Sequence, residues 1–389
     1  MPNKKQLFSY RIFDELGDWF YYFVIVLIVF KTSNDNAIYL GVLSASYTVP
    51  GLVFSRLLAR TLRKHNIRSS LLSMATIRVF VLVAMFIFIT NTLFVIILVF
   101  LEQILSLGSK LAFQNMIVDI EEDEDVLKSF NRDVTIWSTA ARLCVIPIYF
   151  LLTKQFSDEI FVLLDAIFMV FALISIGLIS NDTSFSKSIV NVKLERSQTV
   201  FDKNRFDGLT IWLIVLLSSI GVANAFTDAY GISAINFISN NTKIQYAIAV
   251  FVMTIAELIS GMTSKLVDNQ LSGHKRNYLI SIMVLLSGVL MIGAGLFKTM
   301  IILLTSLVIC RIFFIWIQLY ALAYFQQKFK NQIMSVLAVQ NMALDGVALG
   351  NSIIGGFLIN QLGIISYMLM IGVNCIIFGL AFILMRKGN

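Results

Sequence analysis

Residues 13–30 read FDELGDWFYYFVIVLIVF. A bilayer span needs about 20 mostly apolar residues at about 1.5 Å of rise each, and this stretch reaches that length. Its first half nevertheless carries three carboxylates, Asp14, Glu15 and Asp18. An acidic group at bilayer depth costs about 2.5–3.5 kcal/mol even on a lenient insertion scale, and such groups persist where they face a protein interior or a wet cavity. The stretch therefore predicts a membrane protein whose interior holds charge for a purpose. It is too long and too acidic to resemble the short apolar core of a cleavable signal peptide, so it is expected to remain as the first span.

The composition agrees. The chain is 58% hydrophobic and 14% charged, against about 25% charged in soluble domains. A soluble protein of this length cannot hide so much apolar surface, whereas lipid can solvate the outer faces of a helical bundle. Cys144, Cys310 and Cys375 all lie in apolar segments, so neither a disulfide framework nor a CxxC metal motif is present, and His65 and His274 sit in basic loops. No metal site and no cofactor is expected.

Scanning outward gives spans near 10–30, 37–56, 70–89, 92–117, 134–153 and 159–180 in the first half of the chain. The second half gives 209–238, 244–264, 277–297, 299–325, 334–360 and 364–385. Lysine and arginine favour the cytoplasmic side. With an inside N-terminus, the outside loops hold only Lys31, Lys154, Lys243 and Lys298, while Arg78, Lys110, Arg142 and Arg311 fall within spans. The other 22 of the 30 lie inside. Both termini are thus expected in the cytoplasm and the protein in the cell membrane. The same bias accounts for the net charge of +7 without a nucleic-acid partner.

The longest polar stretch, 181–207, lies midway and on the inside. It predicts an all-α membrane protein of twelve transmembrane helices in two six-helix pseudo-symmetric halves, 1–181 and 208–389, joined by a cytoplasmic linker at 182–207. Repeats of this kind place substrate near the bilayer midplane. Residues 119–125, DIEEDED, form a cytoplasmic acidic run. It is either a solvated loop or a partner that latches the basic loop at 60–68.

Residues 55–64, SRLLARTLRK, resemble the G-x-L-a-D-r-x-G-r-r/k loop of major facilitator transporters. Leu57, Arg60, Arg63 and Lys64 match, while Ser55, Ala59 and Leu62 depart from it. The corresponding place in the second half reads SKLVD at 264–268 and GHKR at 273–276, where Leu266, Asp268, Gly273, Lys275 and Arg276 fit. Leu16-Gly17-Asp18 looks like the first span of macrolide- and drug-efflux members, and 108–131 is similar to their fourth span and following loop. Two departures count against an antiporter: span five keeps only Pro147 of the Gly-Pro motif, and Ile104 stands where many exporters have arginine four residues before a glycine.

The resemblance implies that spans one, four, seven and ten line a cavity, with two, five, eight and eleven beside them. On that scheme Asp18, Glu102, Lys110, Arg142, Asp228, Glu257, Arg311 and Asp345 fall on cavity or flanking spans. Only Arg78 and Asp165 fall on peripheral spans, near enough to an interface for snorkelling. Burial disfavours a carboxylate's charge and a nearby cation restores it, so Asp18, Glu102, Asp228, Glu257 and Asp345 are candidates for proton coupling. Asp18, about 15 Å into its span, is preferred, with Asp14 and Glu15 left near the interface beside Arg11. The alternative is a set of ion pairs, Glu102 with Arg142 or Asp345 with Arg311, that hold helices in register. Candidate substrate contacts are Trp19, Tyr22, Lys110, Arg142, Asn224, Tyr230, Arg311 and Gln318, since aromatic rings and carboxylates suit amphipathic or cationic ligands. The glycine run at 350–356 fits close helix packing as well as a gate.

The expected function is a monomeric secondary exporter of amphipathic or cationic compounds, working by alternating access and coupled to protons. Export of a peptide or lipid-linked substrate, uptake of a small metabolite, and a non-transporting receptor or scaffold are the alternatives. Without a Walker loop, HExxH or GxSxG, an enzyme is not expected.

Overall fold

Backbone amides in lipid have no water to bond, so each spanning segment must satisfy them internally as a helix. The computed structural model describes residues 2–62, 66–120, 124–153, 155–179, 208–239, 241–270, 273–328 and 333–387. Among these residues there are twelve helices and no strand. In chain order they are α1 (Pro2–Thr32), α2 (Ala37–Leu62), α3 (Ile67–Ile87), α4 (Thr92–Ile120), α5 (Glu124–Leu152) and α6 (Ile160–Gly177). These are followed by α7 (Gly208–Ile238), α8 (Thr242–Gln270), α9 (Gly273–Phe297), α10 (Met300–Lys328), α11 (Ile333–Leu362) and α12 (Ile364–Lys387).

The helix ends follow local chemistry. Asn66 caps α3, its side-chain oxygen accepting from the Ser69 amide at 3.2 Å, and Asn91 accepts likewise from Phe94 at the start of α4. Such caps satisfy amides that the first helical turn leaves open. The α1–α2 break is made by Asn34 and Asp35 in the left-handed region, and the α11–α12 break by Gly363 at φ 83°. Asn, Asp and Gly tolerate that region best.

Ten of the helices contain stretches long and apolar enough to cross a membrane, and the protein is a multi-pass membrane protein. The two that fall short are α1 and α5. In α1, Arg11, Asp14, Glu15 and Asp18 break the apolar run, and in α5 only Trp137–Leu152 is apolar.

The chain divides into two compact units. The first comprises residues 1–32 and 49–201, and the second 33–48 and 202–389. The division thus falls inside α2, next to Pro50, rather than only at the polar linker. Within the first unit α1 packs on α6, α5 and α4, and α3 packs on α4 and α6. Within the second, α7 packs on α12, α11 and α10, and α9 packs on α10 and α12. Adding six to each helix number of the first unit reproduces the pairing in the second.

Two packing details matter for the site. On α1, Phe13, Gly17 and Phe20 form one ridge, since residues four and three apart share a helix face. On α6, Phe161, Asp165 and Phe168 form another. The two run antiparallel, with Phe13 6.5 Å from Phe168 and Phe20 6.1 Å from Phe161 between ring centroids. In the second unit Tyr230 is fully buried, its hydroxyl donating to the Ser352 carbonyl. Gly356 leaves that ring its room: a methyl there would lie 3.0 Å from the Tyr230 hydroxyl and 2.8 Å from the Ala37 carbonyl.

Candidate functional site

Each unit carries an arginine ringed by acids, and the two are built differently. In the first unit the centre is Arg78 on α3, fully buried. Its Nε donates to Glu102 Oε1 on α4 at 2.9 Å and its Nη1 to Asp14 Oδ1 on α1 at 2.5 Å. Its Nη2 donates to Asp18 Oδ1, one turn further along α1. Asp14 is also held by Arg11 at 2.8 Å, and Arg11 pairs with Glu15. Gln103 donates to the second oxygen of Glu102 at 2.7 Å. Asp14 and Glu102 are buried, while Asp18 is 17% exposed and reaches through Oδ2 toward Lys110 Nζ at 3.5 Å, itself 42% exposed. Asp18 is thus the link between the sealed arginine and the open lysine.

Beside this group lies Asp165 on α6, fully buried. Neither of its carboxylate oxygens has a hydrogen-bond partner. It sits in the gap opened by Gly17: a methyl at Gly17 would collide with Asp165 Oδ1. The glycine of the Leu16-Gly17-Asp18 triplet therefore has a physical reason, which is to admit a carboxyl from α6.

In the second unit Arg311 on α10 reaches Glu257 on α8 (Nε–Oε1 2.7 Å, Nη2–Oε1 2.5 Å), Asn224 on α7, and Asp228 on α7 at 3.4 Å. Arg311, Glu257 and Asp228 are 18%, 19% and 44% exposed. Trp316 Nε1 donates to the Ser260 carbonyl and to Thr263 Oγ1, both at 3.2 Å, which ties α10 to α8.

Several expectations change. Arg78 and Asp165 are not peripheral snorkelling residues; they lie at the heart of the first cluster, because α3 and α6 each turn one face inward. Asp14 is not interfacial but buried against Arg78, whereas Glu15 does pair with Arg11. Glu102 pairs with Arg78 and not with Arg142, whose guanidinium instead lies 3.6 Å over the Trp19 ring. Arg311 is paired with Glu257 and Asp228 and not with Asp345, which is half-buried on α11. Tyr230 is a packing residue and not an open contact. Trp19, Tyr22, Asn224 and Gln318 are all half-buried, and Trp19 and Tyr22 meet edge to face at 5.7 Å.

Of the loop motifs, Arg60 is exposed near the end of α2 and Gly273 opens α9. Arg63, Lys64 and the linker at 182–207 lie outside the described residues, as do the side chains of Asp268, Lys275, Arg276 and the acidic run 119–125. The signal that would have found Asp165 is the spacing F-x3-D-x2-F at 161–168, which answers F-x3-G-x2-F at 13–20.

No family model matches the sequence, and no curated protein does. Solved structures do. The nucleoside transporter NupG has a TM-score of 0.77 at 13% identity, with 100% of each chain covered. The POT family transporter PepTSo gives 0.70 at 10%, covering 99% of this chain and 98% of that one. A D-xylose-proton symporter gives 0.65 at 14%, covering 96% and 97%. The chain therefore shares the fold of these transporters.

Proposed function

We propose that this chain is a secondary membrane transporter with twelve spans in two six-helix halves, both termini cytoplasmic, acting as a monomer in the cell membrane. It exports amphipathic or cationic compounds by alternating access and is coupled to protons. The observation that carries this reading is the Arg78 cluster, where Asp14, Asp18 and Glu102 meet one buried guanidinium and a fourth acid, Asp165, lies buried beside them. A purely structural bundle has little reason to bury so many acids, since buried ion pairs rarely repay their desolvation. Acids at membrane depth mark ion and proton pathways. A D-xylose-proton symporter and a nucleoside transporter share the fold, which fits a transporter and accommodates proton coupling.

Protons enter the cluster through Asp18, the member that touches both Arg78 and the partly exposed Lys110. Trp19, Tyr22, Lys110 and Arg142 in the first unit, and Asn224, Arg311 and Gln318 in the second, are the proposed substrate contacts. Glu257 and Asp228 hold Arg311 and respond to substrate in the second unit.

One observation favours a second reading of the substrate. Arg142 already occupies the face of Trp19 that would receive a cation, and Lys110 is the more exposed partner of its ion pair. An amphipathic compound bearing an anionic group, as a peptide or a lipid-linked molecule does, suits that surface better than a bare cation.

The test is efflux from intact cells or proteoliposomes with and without an imposed pH gradient, comparing wild type with Asp18→Asn. Gradient-driven efflux that is lost in the variant supports the reading. Efflux indifferent to both gradient and substitution refutes proton coupling through Asp18.

A further inference from the structure

Asp165 differs from every other acid of the first unit's cluster. Asp14, Asp18 and Glu102 each take a donor from Arg78, whereas both Asp165 oxygens lack a partner although the side chain is fully buried. It is flanked by the Phe13–Phe168 and Phe20–Phe161 ring pairs and seated against the bare Cα of Gly17. The charged groups around it are Asp14 and Asp18 from α1, Arg78 from α3 and Glu102 from α4. The cations of the cluster are already engaged elsewhere, Arg78 by Asp14, Asp18 and Glu102, Arg11 by Asp14, and Lys110 by Asp18, and none is paired with Asp165. An isolated carboxylate in such a place carries a desolvation cost that proteins escape by keeping the group neutral.

We propose that Asp165 is the proton store of the Arg78 cluster, a carboxylic acid in the arrangement described, which exchanges its proton with water by way of Asp18. The inference rests on the proton coupling proposed above and assigns that role to a residue on α6. In the exchange the Asp165 O–H bond breaks, the proton passes to the Asp18 carboxylate, and from there to water on the Lys110 side. No other bond is made or broken. The new negative charge on Asp165 is answered by Arg78. Its Nη1 already lies 4.0 Å from the Met169 sulfur, one turn beyond Asp165 on the same face of α6. Arg78 thereby loosens its hold on α1 and tightens it on α6. Proton release would change which helices the guanidinium clamps.

The experiment reads the proton directly. Infrared spectra of the purified full-length protein in an ester-free detergent show the carbonyl stretch of protonated carboxyl groups apart from the amide bands. Wild type is expected to show such a band at neutral pH, to shift it when aspartate carries a carbon-13 carboxyl, and to lose it in Asp165→Asn. A wild type without the band, a band indifferent to labelled aspartate, or a band that persists in Asp165→Asn overturns the proposal. Should Asp165→Asn fail to fold, Asp228→Asn and Asp345→Asn serve instead: the labelled band must survive in both, and its loss in either contradicts the assignment. Transport is not needed for this readout. A missing band removes Asp165 alone, whereas an intact band with gradient-insensitive efflux removes the proton coupling alone.

Discussion

The two units carry the same kind of centre in two different settings. Arg78 is sealed: the guanidinium, Asp14, Glu102 and Asp165 are cut off from solvent, and the cluster leads outward through Asp18 to Lys110 and through Asp14 to Arg11. Arg311 is open, with Glu257 partly and Asp228 substantially exposed. A sealed centre depends on its own members for neutrality, so losing one partner leaves a charge that nothing replaces. At an open centre water or a ligand can take the missing partner's place, and the pair contributes little to stability. The sealed centre is therefore suited to storing charge and the open one to meeting a substrate.

The sharpest way to break this contrast is to remove each arginine in turn. Arg78→Met leaves Asp14, Asp18 and Glu102 facing one another without their cation, and a loss of about 3–5 kcal/mol is expected, read as a large fall in the thermal unfolding midpoint of the purified protein. Arg311→Met should cost about 1 kcal/mol or less while abolishing substrate flux. Equal losses of stability in the two variants would erase the distinction between sealed and open.

A smaller effect tests the notch. Gly17→Ala drives a methyl into the Asp165 carboxyl, and overpacking of this kind costs about 1–3 kcal/mol. Adding Asp165→Ala should recover part of the loss, which a double-mutant cycle measures. Strict additivity would mean that the two residues do not meet as described. The smallest effect concerns Trp19→Leu, which removes the ring beneath Arg142 and should cost about 0.5–1 kcal/mol. Its mark should be on substrate affinity more than on unfolding.

The helices were legible because their cause is local. Apolar runs of membrane length and the polar stretches between them are written in consecutive residues. The acids of α1 were legible too, since an energetic anomaly at residues 14–18 needs no neighbour to be noticed. What escaped the sequence was the assignment of faces. Sorting charges by which helix carries them set Arg78 and Asp165 aside, although a helix with a lipid-facing side has an inner side as well. The partners of Glu102 and Arg311 were missed for the same reason, because pairing across helices depends on depth and rotation together. Tyr230 looked like an open aromatic, and only the small residues packed around it, Gly356 among them, reveal a closed position.

Coupling of transport to protons by the sealed cluster is tested most directly by flux in reconstituted vesicles. Vesicles loaded with a panel of amphipathic compounds, both cationic and anionic, would be given a pH gradient, and wild type, Asp18→Asn and Asp165→Asn compared. The expected result is gradient-driven movement of at least one compound by wild type, with both variants reduced to gradient-independent leakage. Wild-type movement that ignores the gradient, or variants that still follow it, would contradict the account.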